Sequence, residues 1–187
     1  MPAWNEIAIE YEIDAEDSFV SIGGDWDAFA EKNGALGLTA DCMLGKSLWA
    51  YVSGADVASL YRVLTNRVRE IKRAVNFDFR CDSPDRRRWF HLIVTPLPDN
   101  CLRFYSILLK EEERPPVSLF DDVIPRSNEL LTVCSVCKKV NYADSWIEVE
   151  DAVRRLHLLE NEPLPQISHG LCCECYTRLL ENLDCMT

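Results

Sequence analysis

Two pairs of cysteines in the last third of the chain have the spacing of a metal site. They are Cys134-x-x-Cys137 and Cys172-x-x-Cys175, and 34 residues separate the pairs. Each CxxC turn can present two sulfurs to one ion, and two turns supply the four thiolates of a tetrahedral zinc shell, with bonds of about 2.3 Å. The spacing therefore predicts a zinc site. Because four thiolates leave no open position for water, the predicted role of the zinc is structural and not catalytic.

Two neighbouring residues in SHGLCCEC, His169 and Cys173, are alternative ligands for this shell. Four thiolates on a dication leave a local charge of about −2, and Lys138 and Lys139 follow the first turn, where they could offset it. A redox dithiol is a competing interpretation, but it normally lies at a helix start in a βαβ unit, a context missing around the first pair. The other cysteines are interpreted as small apolar residues or idle thiols: Cys42, Cys81, Cys101 and Cys185.

Composition and charge favour a folded cytoplasmic protein. The 187 residues are 48% hydrophobic and 27% charged, which is ordinary for a globular chain, and neither a secretory signal nor a membrane span is predicted. In a reducing compartment, clustered cysteines favour metal over disulfides. The net charge of −11 opposes nucleic-acid binding. The basic run Arg86, Arg87 and Arg88 follows the turn residues DSPD, so a solvated or partner-docking turn is expected there.

Hydrophobic periodicity predicts strands and one long helix in the first half. Apolar and polar residues alternate from Ile7 to Ile13, which predicts a strand. A second strand is predicted from Phe19 to Ile22, and a short helix from about Trp26. The apolar stripe of residues 56–72 predicts a helix. Residues 77–109 then predict an antiparallel meander of three strands.

The tail has its own signals. Residues 111–129 combine a charge run with three prolines, which is typical of a linker or strap. Ser145 and Glu148 form a capping-box pattern and predict a helix that starts there, and a last helix is predicted from about Glu174 to Leu183. The predicted organisation is residues 1–110 as one domain, 111–130 as a linker rich in proline and acid, and 131–187 as a four-cysteine module.

With these residues in view, both halves resemble known families. The strand order, the segment GKSLWAYVSG, the helix DVASLYRVLTNRVREI and the closing strands ending in LRFYSILL resemble a PAS domain over residues 7–110. The tail, with CSVCKKV, SWIEVEDAV and ISHGLCCEC, is similar to a cysteine-rich tail found on bacterial signalling proteins, with the pattern CSxCK and SHGxCxxC. Cys173 departs from that pattern, which usually has proline at this position.

The PAS resemblance implies an α+β fold with a five-stranded antiparallel sheet flanked by helices, followed here by a small helical module stapled by zinc. It also implies a pocket between sheet and helices, filled by a ligand or by side chains. CxxCH is absent, so covalent haem is disfavoured, and Leu48 stands where thiol-adduct flavin proteins have cysteine. Noncovalent flavin or a small metabolite stays open. The aromatic residues that could line the pocket, or simply form the core, are Trp26, Trp49, Tyr51, Phe77, Phe79 and Trp89.

These patterns predict a cytoplasmic signal-transduction protein of bacterial type. Its PAS domain would sense a small ligand or mediate protein interaction, and homodimerisation is expected from the resemblance. No Gly-rich phosphate loop, Ser/His/Asp arrangement or kinase signature occurs, so we do not expect an enzyme. The alternative function is a thiol-based redox switch or metal-transfer protein that uses the CxxC pairs.

Overall fold

An antiparallel sheet of five strands occupies the N-terminal part of the chain in a computed structural model, which describes residues 7–52, 54–121, 123–158 and 163–184. The strand order is β2-β1-β5-β4-β3, so the first strand lies beside the last and the meander closes the sheet. This confirms the predicted mixed fold with a five-stranded antiparallel sheet. The strands are β1 Ala8–Ile13, β2 Phe19–Gly24, β3 Val75–Arg80, β4 Arg86–Pro96 and β5 Leu102–Glu113.

Three helices connect β2 to β3 and include the predicted long helix. They are α1 Trp26–Lys32, α2 Ala40–Met43 and α3 Ala55–Ile71. The apolar stripe of α3 is buried against the sheet, as its periodicity predicts. The helix ends where Lys72 adopts the left-handed conformation, with φ 53°.

A second sheet of four strands occupies the tail, so the prediction of a purely helical module is wrong. Its order is β8-β7-β6-β9, and β6 and β9 pair in parallel. Leu131 and Val133 of β6 and Leu164 of β9 are buried in a separate core with α4. The elements are β6 Arg126–Cys134, β7 Val140–Tyr142, β8 Ser145–Ile147, α4 Val149–Arg155, β9 Leu164–Gly170 and α5 Cys173–Asp184.

The predicted capping box at Ser145 is also wrong. Ser145 lies in β8 and pairs with Tyr142 of β7, and α4 begins four residues later at Val149, with Glu148 at its N-cap. The carboxylate of Glu148 accepts a hydrogen bond from Arg80 at 3.1 Å, and makes no side-chain cap bond. The N-terminus of α4 is thus tied to the first sheet.

The segment predicted as a linker carries structure at both ends. Residues 111–130 include the end of β5, a 3-10 turn at Ser118–Phe120 and the first half of β6. Val117 and Leu119 are buried in the core of the second sheet. The division of the chain into domains stays a prediction, but this segment packs as a strap across the second sheet.

The two sheets are joined by packing and by backbone hydrogen bonds. The core of the first sheet includes Cys134, Val136 and Leu179 from the tail. The amide of Arg80, at the end of β3, donates to the carbonyl of Val136 at 2.7 Å. At Gly54, before α3, the backbone passes so close to His169 that an added Cβ would lie 2.8 Å from the His169 carbonyl oxygen.

A buried ion network holds the β3–β4 turn. The Asp82 side chain is fully buried and accepts hydrogen bonds from the guanidinium groups of Arg80 and Arg114. Arg88 is only 4% exposed and pairs with Glu111 at 2.7 Å. The prediction of a solvated or partner-docking turn is wrong for Arg88, which is buried. Arg86 and Arg87 are partly exposed and pair with Glu111 and Glu150 within the chain.

None of the described helices combines the length and the apolar character that a membrane crossing needs.

Replacing the buried carboxylate should destabilise the protein strongly. Asp82→Asn removes the buried carboxylate that Arg80 and Arg114 share, and breaking such a buried pair costs about 3–5 kcal/mol. Arg80 keeps Glu148 and Arg114 keeps Glu150 as partners, so we expect a loss at the lower end of that range. Urea unfolding followed by circular dichroism measures this loss. Asp85→Asn is the control, because the Asp85 side chain lies in the same turn and is 59% exposed. This variant should unfold at the same urea concentration as the unchanged protein. Equal midpoints for the two variants would contradict the structure.

The close approach at Gly54 gives a second stability test. Gly54 has φ +89°, so Gly54→Ala adds backbone strain of about 1–3 kcal/mol and a clash with the His169 carbonyl. Gly37→Ala is the control, because nothing lies within 4 Å of a Cβ there. We expect a lower unfolding midpoint for the first variant alone. A Gly54→Ala protein as stable as Gly37→Ala would show that α3 and β9 do not pack as described.

Candidate metal centre

The four cysteines of the two CxxC pairs meet at one point. All four sulfurs of Cys134, Cys137, Cys172 and Cys175 lie within 4.8 Å of one another. The Cys137 and Cys172 sulfurs are 3.7 Å apart, and sulfurs at the corners of a tetrahedral zinc shell are separated by about 3.8 Å. These four residues therefore fit a single thiophilic ion such as zinc.

The parallel pairing of β6 with β9 explains how distant residues reach one point. Cys134 pairs with Gly170 in this register, so both strands end at the same edge of the sheet. The first CxxC turn follows β6 and the second follows β9. A hydrogen bond from the Ser135 amide to the Gly170 carbonyl, 2.9 Å long, joins the two turns directly.

Each turn has a backbone conformation that holds its sulfurs inward. After β6 the chain reverses: the Lys138 amide donates to the Cys134 carbonyl at 2.9 Å, and Lys138 has φ 62°. At the second turn, the Cys172 carbonyl accepts from Tyr176 as α5 begins. The first turn thus lies between β6 and β7, and the second forms the start of α5.

N–H groups point at the sulfurs and favour their thiolate form. The Cys172 amide donates to the Cys134 sulfur at 3.4 Å, and the Cys175 amide donates to the Cys172 sulfur at 3.4 Å. The guanidinium of Arg178 lies 3.7 Å from the Cys175 sulfur. Such contacts would offset the negative charge of a four-thiolate shell.

Without a cation, the crowded thiols shift one another's pKa in opposite directions. Hydrogen bonds from the Cys137 and Cys175 thiols hold the pKa of Cys134 far below its ordinary value. The same contact with Cys134 raises the pKa of Cys137 to about 12, and it raises that of Cys175 strongly. A dication at the centre would offset this repulsion, so the state with four thiolates is the metal-bound state.

The alternative ligands lie outside the cluster. His169 and Cys173 are not among the four residues brought together, and Cys173 is exposed at the start of α5. The pKa of His169 is lowered by burial and by the nearby Lys138 charge. Cys42, Cys81 and Cys101 also lie apart from the cluster, while Cys185 is outside the described residues.

Lys138 and Lys139, the residues expected from the sequence to offset the thiolate charge, have other partners in the structure. Lys139 pairs with Glu174 at 3.6 Å, and the Lys138 ammonium donates to the Ser135 carbonyl at 3.1 Å. Arg178 reaches a sulfur instead. Sequence reasoning missed it, although its position one helical turn after Cys175 was the available signal.

The predicted aromatic residues do not line a common pocket. A cavity of about 160 Å³ lies between the first sheet and α1 and α3, and of the six predicted residues Phe79 is the one found in its lining. Trp49 instead donates to Asp17 at 2.9 Å, and Arg62 lies over its ring. Trp89 lies between Arg80 and Lys110. The other three belong to or pack against the core: Trp26, Tyr51 and Phe77.

The cavity lining contains polar groups that sequence reasoning missed. Burial raises the pKa of the Tyr11 and Tyr61 phenols and of the Cys81 thiol, so all three are neutral at pH 7. Ser106 is a fourth polar group, among apolar walls. Two of these groups could have been found from the sequence, because Tyr11 alternates with the polar residues of β1 and Tyr61 lies on the apolar stripe of α3. The cavity suits an uncharged molecule.

Comparison with known proteins does not assign a family. No family model matches the chain, and no curated protein matches it. One matching solved structure is the crystal structure of a domain of an HTR-like protein from Haloarcula marismortui ATCC 43049. It is 15% identical, with a TM-score of 0.38, and the match covers 55% of this chain and 98% of that chain.

Removing one cysteine of the cluster should release the metal. We expect protein purified without added metal to carry about one zinc per chain, and Cys134→Ser to lose most of it and to melt at a lower temperature. Cys173→Ser makes the same change at the neighbouring exposed thiol and should keep both properties. Elemental analysis and a thermal melt measure the two effects. A Cys134→Ser protein with full zinc and an unchanged melt would contradict the site.

Proposed function

We propose that the chain is a cytoplasmic signal-transduction protein with an N-terminal PAS domain and a structural zinc site in its tail. A PAS domain has a five-stranded antiparallel sheet flanked by helices, with a pocket between them. The sheet β2-β1-β5-β4-β3, the helices inserted between β2 and β3, and the cavity between sheet and helices support this proposal. The cavity is the observation that carries it.

The size and chemistry of the cavity limit what the PAS domain would sense. At about 160 Å³ the cavity is smaller than the 300–1,000 Å³ of typical ligand pockets, so flavin and haem are disfavoured. Its described lining holds no histidine that could ligate a haem iron. A small, mostly apolar and uncharged molecule fits this lining, with the two phenols and Ser106 as hydrogen-bonding groups.

The zinc site supports a role without catalysis. Three of the four cysteines are buried and all four face one another, so a bound ion has no open position for substrate or water. The output would be a change of contacts with a protein partner when the cavity is filled. Such a change is limited by the difference in ligand affinity between two states of the domain. A second copy of the chain is one candidate partner.

One observation favours the alternative, a redox switch or metal-transfer protein. The second pair, Cys172 and Cys175, lies at the N-terminus of α5, which is the position of redox-active CxxC pairs. The metal content separates the two functions. About one tightly held zinc per chain supports the structural site, whereas substoichiometric metal with reversible oxidation of Cys134 and Cys137 supports the alternative.

Native mass spectrometry of freshly purified protein tests the sensing role. We expect the mass of the chain, one zinc and a molecule smaller than a flavin. Ser106→Leu should fill the cavity and remove the extra mass, whereas Ser21→Leu on the exposed side of β2 should keep it. A mass of chain plus zinc in all three proteins would contradict ligand sensing and leave protein interaction as the function of the domain.

A further inference from the structure

A second, larger cleft lies beside the cysteine cluster and is lined by different residues. Its volume is about 420 Å³, which is within the range of pockets for small organic ligands. It lies over the β6–β9 pair, and the β3–β4 turn and the strap form its sides. Lys138 and His169, two residues of the tail pattern that do not bind the predicted metal, both line it.

The cleft carries an excess of positive charge. Lys138 and Arg126 line it, and among the described residues neither forms an ion pair with a carboxylate. The one carboxylate in the lining, Asp82, is fully buried and already paired with Arg80 and Arg114. Because that charge is neutralised inside the protein, the two unpaired cations determine what the cleft attracts.

Hydrogen-bond donors remain available in the cleft. The Lys138 ammonium has three N–H groups and donates to one carbonyl, that of Ser135. The guanidinium of Arg126 is bound to the carbonyls of Leu119, Asp121 and Pro165, so Arg126 acts mainly as a fixed charge. The His169 ring also reaches the lining. The set is one mobile cation, one imidazole and one fixed cation, which suits a single carboxylate better than a phosphate dianion.

Two other residues offer apolar surface in the cleft. Phe120 and Ile167 line it together with the charged groups and Gln166, and Val133 in the same lining is only 1% exposed. Val133 and Ile167 come from the paired strands, and Phe120 comes from the 3-10 turn of the strap. An anion with an apolar body would bury that body on these side chains while its charge meets Lys138. A bare inorganic ion would leave them in contact with water.

The geometry points to a binding site for a small organic carboxylate in this cleft, with Lys138 and His169 binding the carboxylate and Phe120 and Ile167 contacting its apolar part. The site is independent of the proposed PAS cavity, because none of these side chains lines that cavity. It depends on the two CxxC turns, since Lys138 belongs to the first and His169 precedes the second.

The test is titration of the full zinc-loaded chain by calorimetry with phenylacetate, acetate and phenylacetamide. Phenylacetate should bind saturably, acetate should bind at least tenfold more weakly because it lacks the apolar body, and the neutral amide should not bind. Phenyl phosphate is the comparison ligand. Tighter binding of phenyl phosphate than of phenylacetate would overturn the carboxylate assignment.

Two adjacent lysines provide a matched pair of variants. Lys138→Gln should weaken phenylacetate binding at least tenfold, whereas Lys139→Gln, which removes the same charge from a residue paired with Glu174, should change it less than twofold. Zinc content and the thermal melt report whether each variant folds. If the Lys138→Gln protein loses zinc, the test uses Gln166→Glu instead. Gln166 is an exposed residue of the cleft, and a carboxylate at this position should repel the ligand. Equal affinities across these variants, or no saturable binding by the unchanged chain, would overturn the proposal.

Discussion

The parallel pairing of β6 with β9 is the contact on which the cysteine cluster and the cleft both depend. Residues of these strands lie more than 30 positions apart in sequence, and the pairing places Cys134 beside Gly170. A parallel pair needs a long connection, and here β7, β8 and α4 supply it. Closing such a loop costs entropy. A metal bound by the cysteines at both ends would offset that cost, because only the folded chain assembles the four sulfurs.

The cluster is also part of the core of the first sheet. Cys134, Cys172 and Cys175 are buried in the same core as Leu60 and Leu64 of α3. The amide of Arg80 is bound to Val136 inside the first CxxC turn. Because the sulfurs pack against α3, which also lines the cavity beside the first sheet, a metal bound by them would be thermodynamically linked to the stability of that region. The linkage is reciprocal, so a ligand that stabilises the first sheet also favours the metal-bound state.

The sequence was sufficient for features that depend on local periodicity. The strands of the first sheet, the long helix α3 and the four metal ligands were all predicted from alternation, from a stripe or from spacing. The β6–β9 sheet was missed, because β6 follows a segment rich in proline and acid and β9 begins beside Pro163 and Pro165. Parallel pairing leaves no hairpin signal at either strand. The cavity was misassigned for a different reason: along β4, Phe90 and Leu92 point inward, so Trp89 must point outward.

The strap and the ion network show why the tail does not need a large core of its own. A segment of about 60 residues buries a smaller fraction of its surface than a larger domain does, so its stability alone is marginal. Here the core of the tail is completed by Val117 and Leu119 from the strap, and Arg114 in the same segment binds Asp82 of the first sheet. Contacts with the first sheet therefore stabilise the tail at two places, the strap and the cysteine cluster. A change at either place must reach the cleft, because the cleft is lined by the strap, by the β3–β4 turn and by both CxxC segments.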